Sequence, residues 1–489
     1  MTVTVNLRKM LHKKTTEYLT PLPVGNTLAG GFMISDRDGF LSDNDCLYVG
    51  GVSGIWNYQA NEDSWMPLPN SGIAGTFGAG AAGALRPTFA PSGNSSATAT
   101  GGTTTTINSS ITALRKLNQI SIRVIAGTGL GYSGVVTKNT LGPNSVFTVA
   151  PASSTAFDNT TVFQIMSGSL WFFNPSATAP GVSVYDALTS TWTARSVANI
   201  AVPFGSDGVL LSVHGAIANS GQGFVSGVAT SATTTTITDS SKTWPVNGWT
   251  NSQVRIVSGT GIGQIRSIIS NTATALTVSS WTVTPDATSN YRIEANDDYL
   301  YLLGGASAAL YRYSVSANSW TLLTPSTARA GVAGIGCTAS FIDQMPTNSE
   351  WTDGTYGAHY STTIVRQLGR YIYSFRGGVT NLLDIYDIAA NTWINALPYG
   401  SQMETFTTGT SAVDISGIIY IQKDNTGRIY QFNVAENSLK PFTTNPVPQG
   451  IAVAGNKLFI TTFNEGSTKI RFLYSLSQTR PELVRWLII

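Results

Sequence analysis

Apolar and polar positions alternate along this chain in short runs, and the clearest set lies between Arg370 and Pro398, RYIYSFRGGVTNLLDIYDIAANTWINALP. Tyr371, Tyr373 and Phe375 alternate with other residues at period two, which predicts a half-buried strand. Gly377-Gly378 breaks that strand, because paired glycines accept positive φ and close backbone approach. A second alternating run follows through Leu383, Ile385 and Tyr386-Asp387. Asn391 then turns the chain, and Trp393 opens a short strand ending at Leu397-Pro398. Six versions of this unit organise the chain.

The first runs from Gly30 to Pro69, with Tyr58 and Trp65 in the places of Tyr386 and Trp393. The second begins at Gly80 to Leu85, breaks off, and resumes at SLWFFNP (Ser169 to Pro175), with Tyr185-Asp186 and Trp192. The third begins near Gly208, breaks off, and resumes at YLYLLGG, with Gly304-Gly305, Tyr313 and Trp320. The fourth starts at Gly331 and ends in the stretch described above. The fifth, Thr410 to Phe442, has Leu439 in the tryptophan place; the sixth runs from Gly450 to the end, with Trp486 as a candidate for that place. Tyrosines and tryptophans repeated at equivalent places are expected in the core, since each buries a large area.

Strand, Gly-Gly, strand with Tyr-Asp, turn, Trp resembles a kelch motif, and the resemblance implies one four-stranded blade of a β-propeller per unit. Units of about 50 residues are the kelch spacing. Blades bury their faces against neighbours, and closure of the ring removes free edges. The expected fold is all-β, a six-bladed kelch-like β-propeller with two small β-domain insertions in blades 2 and 3. Residues 1–28 read as an N-terminal arm. The propeller takes 29–91, 167–222 and 296–489, and the inserted domains take 92–166 and 223–295.

The two breaks are copies of one another. TATGGTTTTINSS leads to SIRVIAGTGLGYSGVV in the first, and TSATTTTITDSS to QVRIVSGTGIGQIRSI in the second. The alignment pairs Arg123 with Arg255 and Gly127-Thr128-Gly129 with Gly259-Thr260-Gly261. TTTTITDSSKTWPVNGW, VRIVSGTGIGQIRSI and PDATSNYRI in the second copy resemble a β-module recurrent in tailed-phage virion proteins. The first copy departs from it: Trp244 and Trp249 have no counterparts, and ITALRKLNQI stands there instead.

Composition agrees with a turn-rich β-structure: 49 glycines, 11 tryptophans, 42% apolar and only 11% charged residues. Twenty-eight basic against 26 acidic residues leave +2, which argues for neither nucleic acid nor a membrane surface as a partner. No secretory signal or spanning segment is read, and no membrane insertion is expected. Cys46 and Cys337 sit in apolar runs and read as buried free thiols.

Candidate chemistry is sparse. GTGLG and GTGIG lack the Lys-Ser/Thr of a phosphate loop and are expected to form hairpin turns with a bulge. His12, His214 and His359 make no zinc spacing. Some kelch propellers resemble galactose oxidase, but no matching copper motif occurs, so no cofactor is expected. Asp343, Glu350 and Asp353, near Trp351 and Tyr356, lie on the longest blade loop. Glu350, Trp351, Asp353 and Tyr356 are candidate glycan contacts, and a glycosidase would need two such carboxylates facing one cleft.

A non-enzymatic structural protein of a tailed-phage virion (neck-, tail- or capsid-associated) is therefore expected. Its partners would be other virion proteins, from portal or neck to tail or capsid, with several copies per particle. Arg8, Lys9, Leu11, Lys13 and Lys14 of the arm, and Trp244 and Trp249 of the second insert, are the candidate partner contacts. A receptor- or carbohydrate-binding adhesin of the virion and a cryptic glycan-active enzyme stand beside it as alternatives.

Overall fold

Strands form where the alternating runs predict them. The structure, a computed structural model, describes residues 17–18, 32–35, 46–51, 54–59, 64–74, 82–86, 96–113, 120–165, 169–174, 180–186, 190–200, 209–212, 225–294, 296, 298–303, 308–329, 334–342, 371–377, 382–398, 411–415, 418–423, 428–433, 438–443, 448–454, 457–464 and 467–475. Among these residues the protein is all-β, with strands and no helix.

Six antiparallel four-stranded sheets carry the repeated units. The first contains β2 (Phe32–Ser35), β3 (Cys46–Gly51), β4 (Gly54–Gln59) and β5 (Ser64–Pro67). The second contains β6 (Ala82–Arg86), β13 (Ser169–Asn174), β14 (Gly181–Asp186) and β15 (Thr191–Arg195). The third contains β16 (Val209–Ser212), β24 (Tyr299–Leu303), β25 (Leu310–Ser314) and β26 (Ser319–Leu322). The fourth contains β27 (Gly334–Ile342), β28 (Tyr371–Gly377), β29 (Leu382–Asp387) and β30 (Thr392–Pro398). The fifth contains β31 (Ser411–Ile415), β32 (Ile418–Lys423), β33 (Arg428–Asn433) and β34 (Ser438–Thr443). The sixth contains β35 (Pro448–Ala454), β36 (Lys457–Asn464) and β37 (Ser467–Ser475), completed by β1 (Glu17–Tyr18).

The first strands of neighbouring sheets touch in a closed circuit: β2 with β6, β6 with β16, β16 with β27, β27 with β31, β31 with β35, and β35 with β2. This β-propeller-like arrangement lets each sheet bury its faces against its neighbours. Trp171, Phe173, Val182 and Val184 of the second sheet join Leu300, Leu302, Tyr313 and Trp320 of the third in one buried cluster. Phe375 of the fourth sheet meets Phe432 of the fifth edge-on at 5.6 Å.

In the first four units the tyrosine and tryptophan sit directly opposite on the third and fourth strands: Tyr58 with Trp65, Tyr185 with Trp192, Tyr313 with Trp320, Tyr386 with Trp393. Three of these ring pairs lie at 5.0, 4.9 and 5.2 Å. The turn between those strands needs a left-handed residue, supplied by Ser190, Asn318 and Asn391 at φ 55°, 50° and 48°. Asparagine tolerates that region and holds it here, since Asn391 Oδ1 accepts the Tyr386 hydroxyl at 2.6 Å. The segment connecting one sheet to the next is then captured by the receiving sheet. The Trp192 indole N–H donates to Pro69 O at 2.7 Å and the Trp320 indole to Ser196 O at 3.0 Å. In the fourth sheet the Trp393 backbone N–H donates to Thr327 O at 3.2 Å.

One expectation is corrected in the sixth sheet. Its fourth place is held by β1, with Glu17 opposite Phe472 and Tyr18 opposite Arg471, so part of the expected arm belongs to a sheet. A strand edge carries unpaired backbone groups, and β1 satisfies some of them on β37. Trp486 lies outside the described residues, as do the side chains of Cys46 and Cys337.

Between β6 and β13 the chain forms a closed barrel of β7 (Ser96–Gly102), β8 (Thr106–Ser109), β9 (Ile120–Ala126), β10 (Ser133–Asn139), β11 (Val146–Ala150) and β12 (Val162–Ile165). Between β16 and β24 it forms a seven-stranded sheet of β17 (Val225–Val228), β18 (Ser231–Ala232), β19 (Thr236–Thr238), β20 (Gln253–Ser258), β21 (Ile265–Asn271), β22 (Ala275–Val278) and β23 (Asn290–Glu294). The strand orders match: β7-β12-β9-β10-β11-β8 in the barrel and β17-β23-β20-β21-β22-β19-β18 in the sheet. The single strand β7 of the barrel corresponds to the β17–β18 pair. Each module has its own buried apolar core.

Candidate functional site

The two modules meet at their glycine-rich hairpins. β9 and β10 pair antiparallel around Gly127 to Gly131, and β20 and β21 around Gly259 to Gly263. All six glycines of the two GTGxG runs have left-handed φ, between 72° and 88°. Glycine is also required by space. A methyl group on Gly127 would lie 1.7 Å from Thr160 O, and one on Gly259 would lie 2.0 Å from Thr288 O. The hairpin turns read from the sequence are thus formed; the register shifts of β9 and β20 lie on their other sides, against β12 and β23, and not in the hairpin pairings.

Each tip is fastened by a feature that the sequence reading missed, an aspartate two residues before a threonine. Asp158 accepts the Thr128 hydroxyl at 2.7 Å, the Thr160 hydroxyl at 2.6 Å and the Thr160 backbone N–H at 2.8 Å. Asp286 accepts the Thr260 hydroxyl at 2.8 Å, the Thr288 hydroxyl at 2.5 Å and the Thr288 N–H at 2.8 Å. Next in line, Thr161 donates to Thr128 O and Ser289 to Thr260 O, both at 2.7 Å. The signal was available as Asp-x-Thr-Thr in one copy and Asp-x-Thr-Ser in the other, at the same place after the GTG run.

These hydrogen bonds hold both carboxyls below the ordinary carboxylate range, the Thr160 hydroxyl contributing most at Asp158 and the Thr288 hydroxyl at Asp286. A depressed folded-state value means that the clamp is at full strength above the ordinary value of about 3.9 and is lost as pH falls through the lowered one. Acid titration followed by NMR is expected to shift the Thr128 and Thr260 amide signals only in that low window. Asp286→Asn should remove the response at Thr260 while leaving that at Thr128. A response of both amides near neutral pH would contradict the clamp.

A cleft of about 430 Å³ opens beside the hairpins, lined by Gly129 to Tyr132, Pro151 to Thr155, Val257, Ser258 and Ile262. No residue of this lining is charged. The Tyr132 hydroxyl donates to Pro151 O at 2.6 Å, and burial raises its pKa. Neutral hydroxyl and backbone groups around a ring suit recognition of a neutral polar ligand.

The structure corrects one part of the expected contact set. Trp244 and Trp249 are 8% and 4% exposed and belong to the core of the second module, with Trp244 edge-on to Tyr291 at 6.2 Å. They fill volume between β20–β23 and the loop before β20, so they are not offered to a partner. Arg8, Lys9, Leu11, Lys13, Lys14, Glu350, Trp351, Asp353 and Tyr356 lie outside the described residues, as do the three histidines and Asp343. Among the described residues no cluster of His, Cys, Asp and Glu has the makings of a metal site, and no helix is long and apolar enough to cross a membrane.

No protein-family model matches the chain, and no curated protein matches it. Solved structures overlap it across most of its length at low identity. U3-55K is similar over 94% of this chain and 98% of its own, at 7% identity and a TM-score of 0.35. A chain of the mitotic checkpoint complex covers 94% of this chain and 92% of its own, at 9% identity and TM-score 0.33. A luciferin-regenerating enzyme covers 63% of this chain and 88% of its own, at 12% identity and TM-score 0.23. Scores this low carry no argument about this chain's activity or partners.

Proposed function

We propose that this chain is a non-enzymatic structural protein of a tailed-phage virion. Six kelch-like blades form its scaffold, and the two inserted β-domains, 92–166 and 223–295, together with the basic arm, form its contact surfaces. The observation that carries this reading is the duplication. Two modules of one strand order, each with the same GTGxG hairpin and aspartate clamp, stand on adjacent sheets. The sequence of the second resembles a virion module, and repeated modules on a rigid base suit repeated contacts in a particle.

The test replaces Ser226–Ala295 by a short Gly-Ser linker. The chain re-enters β24 beside β16, so the scaffold is expected to fold with the melting transition of its six sheets intact. Assembled particles are expected to lack the truncated chain. Normal incorporation, or absence of the intact chain from purified particles, would overturn the proposal. For the arm, the truncation removes residues 2–14, which spares Glu17–Tyr18 of the sixth sheet, and is likewise expected to leave the chain out of particles.

The uncharged polar cleft favours a second reading, in which the virion protein also binds a host-surface glycan. Binding of neutral oligosaccharides by the purified protein, lost on Tyr132→Ala, would support it.

A further inference from the structure

The hairpin tips contact one another reciprocally. Leu130 and Ile262 occupy the same position in GTGLG and GTGIG. Ile262 reaches over Gly131, where a methyl group would stand only 2.2 Å from its Cδ1. Leu130 reaches over Gly263, with its Cδ1 3.8 Å from where a methyl group there would stand. Each apolar tip residue thus lies across the third glycine of the other copy. Residue i of one copy meeting j of the second, while i of the second meets j of the first, defines an isologous contact.

The second module is itself tied to the sheets beneath it. Asn251, in the left-handed region at φ 66°, donates its side-chain amide to Ile388 O at 2.9 Å and accepts from Arg312 at 3.2 Å. Ile388 directly follows β29 of the fourth sheet and Arg312 lies on β25 of the third, so one side chain links two sheets. Asn296 adds a bond from the base of the module to Ser267 at 2.9 Å.

We infer that the two hairpins form an intramolecular pseudo-twofold joint, through which the second module, bolted to the sheets by Asn251, sets the orientation of the first. The surface that each hairpin presents fits one kind of partner, another copy of the same hairpin. At Gly131 the bare backbone is what admits Ile262, since a methyl group there would overlap its Cδ1. The duplicated modules therefore move as one body.

The joint is tested in the full-length protein with spin labels carried by bio-orthogonal residues at Leu141 in the barrel and Val246 in the second module, 54% and 71% exposed. One narrow distance distribution is expected in the parent. Ile262→Asp places a carboxylate in the joint and is expected to abolish the narrow peak while the melting of the six sheets is retained. Leu130→Asp attacks the joint from the other side at a residue already 46% exposed, so it decides the matter should Ile262→Asp fail to fold. Ile269→Asp, at a residue 58% exposed on β21, is the control and should leave the peak narrow. A broad distribution in the parent, or a narrow one in Leu130→Asp, overturns the joint.

Discussion

Asp384→Ala is expected to destabilise the six-sheet body by about 3–5 kcal/mol, enough to consume much of a domain's stability. Asp384 on β29 and Arg329, just before β27, form an ion pair at 3.2 Å with both side chains fully buried. Arg329 also donates to Ser374 on β28 at 2.8 Å and lies over the Trp393 ring at 5.4 Å. One guanidinium thus fastens the incoming connector to three strands of the fourth sheet. Alanine leaves that cation buried without its counter-charge, and desolvation of an uncompensated charge dominates the loss. Asp384→Asn keeps an acceptor and the shape, and should cost less. Urea unfolding followed by tryptophan fluorescence measures both. A loss below about 1 kcal/mol for Asp384→Ala would show that water reaches the pair and that it behaves like a surface bridge.

Trp320→Ala should cost a similar amount, about 3–5 kcal/mol, through a different mechanism. The ring is 2% exposed, packs on Tyr313 at 4.9 Å and reaches Phe173 of the second sheet at 6.5 Å. Its indole N–H donates to Ser196 O, which ties the second connector to the third sheet. Truncation therefore opens a cavity between two sheets and orphans a carbonyl. Trp320→Phe separates the two effects, since it retains most of the ring but loses the donor, and should cost about 1–2 kcal/mol. Equal losses for the two variants would mean that the hydrogen bond, and not packing, dominates.

Much of this architecture is legible in the amino-acid order because it depends on neighbours along the chain. Alternation at Tyr371, Tyr373 and Phe375 reads as a strand because successive side chains point to opposite faces, and β28 forms there. Tyr386 and Trp393 sit one tight turn apart, so their cross-strand contact follows from a local hairpin. The GTGxG runs announce left-handed turns because glycine alone enters that region cheaply. The duplication is visible for the same reason: each copy repeats its own local rules.

The tryptophans of the second module were misjudged because burial is not a local property. Trp244 and Trp249 look like exposed contacts in a loop rich in turn residues, yet β22 and β23 come back from later in the chain and cover them. The first module lacks both and fills its core with other apolar residues. The aspartate clamps were overlooked for a related reason. Asp158 and Asp286 fasten hairpins 30 and 26 residues earlier, and the Asp-x-Thr pattern does not by itself say which distant turn it meets.

By itself, then, the sequence determined the strand content, the order of strands within the first five units, the glycine turns and the presence of two like modules. All of these are settled by dihedral preference and by hydrophobic period over a few residues. The tertiary structure alone decided which strand completes the sixth sheet, where Glu17 finds Phe472 across nearly the whole chain. It also decided that Arg329 meets Asp384, that Trp244 is core and that Ile262 lies over Gly131. These contacts join residues that no short-range rule relates. They exist because backbone edges and buried charges each need a partner and apolar side chains pack where glycine leaves room, and only the folded chain brings these within reach.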